Sequence, residues 1–224
     1  MSIWVKICGT TSREDARVAV DAGADAVGFV FAESPRQVKA EQVAAIVAEL
    51  PANVEKIGVF VTADATEIAA AVQASGLTGV QVHAGGGTEL TAALRAEFGP
   101  GLRILRVVHF GAEAAGQALA AASDRNIDGI LVDSRVGMKL GGTGVAYDWE
   151  AAARTVFSPE RTVKLVAAGG LSPENVAEAV SILRPWGVDV VSGVEAAPGR
   201  KDAAKVQEFV ARARAAANVG ARDS

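Results

Sequence analysis

The sequence predicts a single (β/α)₈ barrel, and three observations carry the prediction. Short β-branched runs alternate eight times with longer Ala-rich segments, the pattern of βαβ units around a parallel sheet. The chain of 224 residues allows about 28 per unit, within the roughly 200–250 residues that one compact barrel needs. The polar and glycine-rich motifs fall where a strand hands over to the next helix, the end at which parallel α/β proteins do their chemistry. An open doubly wound sheet is the alternative. Its glycine fingerprint belongs after the first strand, where this chain has only Cys8-Gly9-Thr10.

The first strand is expected over Trp4–Cys8, apolar apart from Lys6. Gly9 ends it, and Ser12 can cap the helix that follows over Ser12–Ala22. The second pair is Ala26–Phe31 and Ala40–Leu50. The third is Glu55–Val61 and Ala65–Ser75, where Ile68 and Val72 repeat at helical spacing. The fourth is Gly79–His83 and Glu89–Phe98, and the fifth is Arg103–Val108 and Glu113–Ala122. The sixth is Gly129–Asp133 and Tyr147–Arg154. The seventh is Thr162–Ala168 and Pro173–Leu183, with Ser172 as cap and Pro173 in the first turn. The eighth is Gly187–Ser192 and Ala203–Ala217. Several strands are nearly continuous apolar runs, as burial on both faces requires. One catalytic domain is expected over residues 1–217, with a small, polar, frayed tail over 218–224.

Half of the residues are apolar and the net charge is −4. No basic run stands out, so nucleic acid is not an expected partner. No cationic segment leads an apolar run at the N-terminus, and no apolar stretch nears about 18 residues, so neither a signal peptide nor a membrane span is expected. One cysteine forms no internal disulfide, and a cytoplasmic location is expected. One Cys and two scattered His lack metal-ligand spacing, so no metal is expected.

The chemistry-bearing residues cluster at strand ends. Gly169 and Gly170 follow strand seven, and Ser192 and Gly193 follow strand eight, the usual phosphate site of a barrel. Gly141-Gly142-Thr143-Gly144 follows strand six and brings Gly142 near that site. Asp133 closes the apolar run Leu131-Val132, where a carboxylate can point out of the barrel mouth. Arg36, in Ser34-Pro35-Arg36 after strand two, can pair with a substrate carboxylate through both arms of its guanidinium, or be a solvated surface charge. Gln81 and His83 end strand four, and His83 can orient substrate or make structural bonds only. Cys8 ends strand one, and by residue type alone it is a small buried apolar group.

These motifs together resemble phosphoribosylanthranilate isomerase of tryptophan biosynthesis. The resemblance rests on Lys6-Ile7-Cys8-Gly9, Gly28-Phe29-Val30-Phe31 with Ser34-Pro35-Arg36, Val80-Gln81-Val82-His83, Val132-Asp133-Ser134, Gly141-Gly142-Thr143-Gly144, Ala168-Gly169-Gly170-Leu171 and Ser192-Gly193-Val194-Glu195. It runs from Lys6 to about Asp202. Its phosphate loops are common to many barrels; the cysteine motif together with the aspartate after strand six is far more specific. The resemblance implies a cofactor-free Amadori rearrangement of N-(5'-phosphoribosyl)anthranilate, with Asp133 as general acid and Cys8 as general base. It also implies a small phosphorylated substrate and a monomer or homodimer. Two departures stand out: Val191 replaces a serine common in the family, and Ala84 replaces a glycine after His83. Rival readings are the histidine-pathway isomerase, which resembles a two-fold repeat with Asp in place of Cys8, and a barrel that binds sugar phosphates without turning them over.

Overall fold

The computed structural model describes residues 2–83, 87–134, 147–158 and 163–220. Eight parallel strands close into a barrel in chain order: β1 (Trp4–Ile7), β2 (Ala26–Val30), β3 (Glu55–Phe60), β4 (Gly79–Val82), β5 (Arg103–Phe110), β6 (Gly129–Ser134), β7 (Lys164–Ala167) and β8 (Gly187–Val190). The helices α1 (Arg13–Asp21), α2 (Ala40–Val47), α3 (Ala65–Ser75), α4 (Gly87–Phe98), α5 (Ala114–Ala122), α6 (Trp149–Thr155), α7 (Val176–Leu183) and α8 (Ala203–Gly220) follow the strands in turn. A short antiparallel hairpin, β9 (Glu195–Ala197) and β10 (Arg200–Lys201), stands between β8 and α8.

Local chemistry explains three of the helix starts. The side chain of Ser12 accepts from the Asp15 N–H, that of Asp64 from Thr66 and Glu67, and that of Asp148 from Ala151. Each offers an oxygen to a backbone donor that has no partner in the first turn. The seventh helix departs from expectation. It begins at Val176, and Ser172 and Pro173 lie in the turn before it. Asn175 occupies the cap position but turns its side chain back on the loop. Its Oδ1 accepts from the Ser172 N–H at 2.8 Å and its Nδ2 donates to the Gly170 carbonyl at 2.9 Å. Those bonds brace the loop after β7 and delay the helix.

Strand ends shift for similar reasons. β5 runs past Val108 because β6 reaches Ser134, and the register pairs His109 with Asp133 and Phe110 with Ser134. β8 stops at Val190, short of Ser192, because Ser192–Val194 winds into a 3₁₀ turn. α8 continues through Gly220, three residues beyond Ala217.

Two apolar layers hold the fold. The larger lies between barrel and helices, and includes Phe29, Ile68, Leu94, Ile104, Leu183 and Phe209. The smaller fills the barrel's lower interior with Trp4, Ile57, Leu105, Leu131 and Val166. Trp4 and Trp186 stack at 5.1 Å, with Lys164 4.6 Å from the Trp186 ring centre, and together they plug the N-terminal end. The C-terminal end is therefore the open one. There the strands replace apolar interior side chains with polar ones.

Candidate active site

A cavity of about 780 Å³ opens at the C-terminal mouth of the barrel. Cys8, Arg36, Gln81, His83, Asp133, Gly169, Gly170 and Ser192 all line it. Gly193 lies one residue behind Ser192; a Cβ there would run into the Leu171 carbonyl, so this glycine lets the loops after β7 and β8 touch. Gly142 lies outside the described residues. Gly169 has φ +78° and Gly170 φ +69°, a left-handed pair that L side chains rarely adopt. A Cβ on Gly169 would also sit 2.6 Å from Asp133 Oδ1. Gly169 thus brings its backbone against Ser134 and the Asp133 carboxyl.

One layer below the mouth, the interior is ionic. Lys6 is fully buried, and its Nζ donates to Asp189 Oδ1 at 2.8 Å and to Gln81 Oε1 at 2.9 Å. Lys6 and Asp189 are direct register partners across the β1–β8 seam that closes the barrel. Burial pulls the Lys6 pKa down, but Asp189 and Cys8 outweigh it and leave the value above that of an ordinary lysine. The sequence shows Lys6 as the polar exception in its strand and as part of the Lys6-Ile7-Cys8-Gly9 motif, but assigns a role to neither Lys6 nor Asp189. The available signal was one lone charge of each sign in two apolar strands that barrel closure makes neighbours.

Cys8 is 3% exposed. Burial raises its thiol pKa above the ordinary range; Lys6 opposes this shift and Asp189 adds to it. Asp133 is 7% exposed. Burial first and the charge of Asp189 second raise its carboxyl from 3.8 to about 7, against the lowering effect of the Ser134 backbone and Lys6. His83 goes the other way. Burial, then His109 and Lys6, push its pKa down to about 4, so it is neutral at pH 7. The mouth therefore holds a carboxyl that keeps a proton near neutrality, a thiol beside a buried ammonium, and an uncharged imidazole.

Arg36 sits at the rim with an unexpected partner. Its Nε and Nη2 donate to Glu195 Oε1 and Oε2 at 2.8 and 2.7 Å. Lys201 Nζ lies 3.3 Å from the same Glu195 Oε1, and donates to the backbone carbonyls of Cys8 and Val191 at 2.6 and 3.1 Å. Burial alone would raise the Glu195 carboxyl, but Arg36 and Lys201 hold it below its ordinary range. A guanidinium has five donors, and the described bonds to Glu195 engage the Nε edge. The opposite Nη edge is the one that can meet a ligand carboxylate.

Comparison with known proteins gives a consistent result. The profile of the family "N-(5'phosphoribosyl)anthranilate (PRA) isomerase" matches residues 5–212. The N-(5'-phosphoribosyl)anthranilate isomerase of Acidithiobacillus ferrooxidans is 44% identical over 215 residues, covering 95% of this chain and 98% of the relative. The crystal structure of phosphoribosyl anthranilate isomerase from Thermotoga maritima superposes with a TM-score of 0.83 at 36% identity, over 95% of this chain and 99% of that one. A further solved structure of such an isomerase holds reduced 1-(o-carboxyphenylamino)-1-deoxyribulose 5-phosphate; it has a TM-score of 0.80 at 34% identity and the same coverage. With a profile match over nearly the whole length, the chain belongs to the N-(5'-phosphoribosyl)anthranilate isomerase family.

Proposed function

We propose that the chain converts N-(5'-phosphoribosyl)anthranilate to 1-(o-carboxyphenylamino)-1-deoxyribulose 5-phosphate in tryptophan biosynthesis, with Asp133 as general acid and Cys8 as general base. Asp133 gives its proton to the furanose ring oxygen as the ring opens to an imine. The Cys8 thiolate then takes the proton from the sugar carbon beside that imine. The resulting enolamine tautomerises to the ketone. The rearrangement moves protons and is redox-neutral overall, so it needs no electron carrier. Arg36 offers its outer edge to the anthranilate carboxylate. Gly169, Gly170, Ser192 and Gly193 hold the phosphate through backbone N–H groups, which suit an anion where glycine lets the chain approach. Gln81 and His83 orient the sugar.

The observation that carries this reading is the pairing of Cys8 with Asp133 in one mouth, with the carboxyl held protonated to about pH 7. Side-chain acids and bases typically contribute about 10²–10⁴-fold each. Cys8→Ser and Asp133→Asn should each cut kcat by at least about 10²-fold with the fold intact. Turnover is followed by loss of anthranilate-type fluorescence, with the histidine-pathway aminoaldose as control. Near-normal turnover by Cys8→Ser would move the base elsewhere.

A further inference from the structure

We propose that Lys6 and Gln81 are positioning residues that lock His83 as the neutral tautomer protonated on Nδ1, and so make it a fixed hydrogen-bond donor to an oxygen of the bound substrate. The tautomer part stands on hydrogen-bond chemistry alone. The donor part rests on the isomerase reading above.

The chain of reasoning starts at a group with no choice. An ammonium donates only. The Gln81 atom 2.9 Å from Lys6 Nζ must therefore be the carbonyl oxygen, which settles an amide orientation that is otherwise ambiguous. The other end of the amide is then NH₂, also a pure donor, and it lies 3.1 Å from His83 Nε2. Nε2 must accept, so it carries a lone pair. A neutral imidazole with a bare Nε2 has its proton on Nδ1. Asp189, 2.8 Å from Lys6, keeps the first group charged. From carboxylate to imidazole, every step has one direction.

Two further observations point the donor at a ligand. His83 lines the cavity, and its Nδ1 is buried with no hydrogen-bond partner among the described residues. Trp4 Nε1, Ser75 Oγ and Trp149 Nε1 are also buried without a partner among the described residues, but His83, unlike them, lines the cavity, from which an acceptor can come. The ring also stays uncharged. Lys6 from β1, Cys8 just past its end, His109 from β5, Asp133 from β6 and Asp189 from β8 lie at this mouth or just below it, and burial with His109 and Lys6 disfavours the imidazolium. An uncharged donor binds a substrate oxygen without adding a cation that would draw the proton off Asp133.

The sequence has two histidines, so ¹⁵N-histidine-labelled protein gives a simple spectrum, and His83→Phe identifies the signals of His83. At pH 7 the unliganded wild type should show His83 with Nδ1 protonated and Nε2 bare, and charge only near pH 4. Protonation on Nε2, or an imidazolium at pH 7, would overturn the proposal. Gln81→Glu keeps the bond to Lys6 but faces His83 with an oxygen. The proton should then appear on Nε2; an unchanged tautomer would show that Gln81 does not set it. His83→Phe should raise KM about 3–10-fold, the loss expected for one hydrogen bond. An unchanged KM would overturn the donor role. The spectra need no turnover, so their failure is distinct from failure of the isomerase reading.

Discussion

Burial moves both proposed proton-transfer groups upward, and this fixes the shape of the pH profile. Asp133 titrates near 7 and Cys8 above the ordinary thiol range. Below about pH 7 both hold protons and no base is present. Between the two values the pair carries one proton, and a constant minor share of molecules has it on Asp133 with Cys8 ionised. The profile of kcat/KM should therefore rise to about pH 7, stay level, and fall above the thiol's raised value. In Asp133→Asn the limb near 7 should vanish, and residual activity should climb towards the thiol's pKa. The substrate phosphate, with a pKa of about 6, contributes a limb that the variant keeps. The same shift is a stability statement. The folded carboxyl holds its proton to about 7 and the unfolded one releases it near 3.8. The folded state thus binds the extra proton between those values, and stability falls as pH rises through that window. Asn mimics the protonated form, so Asp133→Asn should match wild type below about pH 4 and exceed it above pH 7, by on the order of 2–4 kcal/mol. Denaturant melts at pH 4 and pH 8 measure the difference; no gain at pH 8 would mean that Asp133 is not held protonated.

The β9–β10 hairpin brackets Arg36, the proposed partner of the substrate carboxylate. Glu195 on β9 grips Arg36 from the loop after β2, and Lys201 on β10 ties Glu195 to the ends of β1 and β8. Arg36→Ala should raise KM about 10–150-fold, the range for a lost charge-assisted pair. Glu195→Gln should raise KM less, by about 3–10-fold, because the arginine stays but loses its fixed orientation. KM does not depend on the fraction folded, so it separates this effect from the stability lost when Lys201 is buried without its carboxylate. An unchanged KM in Glu195→Gln would leave the hairpin a purely structural element. This element also marks the limit of what the sequence reveals. The eight strand–helix units were legible because their signals are local: β-branched runs, Ser12 as a cap, helical spacing at Ile68 and Val72. That Cys8, Gln81, His83, Asp133 and the paired glycines come together in one cavity was legible because each stands at or just past a strand's C-terminal end, and a barrel gathers strand ends in one place. Glu195 and Lys201 were not, because their roles depend on contacts with Arg36, 159 residues from Glu195, and with the Cys8 carbonyl, 193 residues from Lys201. Lys6 and Asp189 fall between. Each is a visible anomaly in an apolar strand, but only closure of β1 on β8 pairs them. Ser172 misled because Asn175 spends its side chain on the loop, a competition among local bonds that composition does not resolve.

At the scale of the whole barrel, closure converts loop chemistry into global stability. The loops after β7 and β8 touch where Gly193 meets the Leu171 carbonyl, and β8 pairs with β1 to seal the ring. An anion held between these loops joins adjacent strands next to the seam and binds only the closed form. Any such ligand stabilises by RT ln(1 + [L]/Kd), about 2.7 kcal/mol at a hundredfold excess over Kd. For a chain of this size each kcal/mol is worth about 2–4 °C in Tm. Titrating inorganic phosphate to about 20 mM at constant ionic strength should raise Tm by several degrees, and chloride should not. Asp133→Asn should keep the protection, because its carboxyl is assigned to the sugar ring and not the phosphate. Gly193→Ala should lose it, because the added Cβ would push the two loops apart. Equal protection in Gly193→Ala, or none in the wild type, would place the phosphate elsewhere. Protection that also disappeared in Asp133→Asn would mean that the anion sits on the proposed acid.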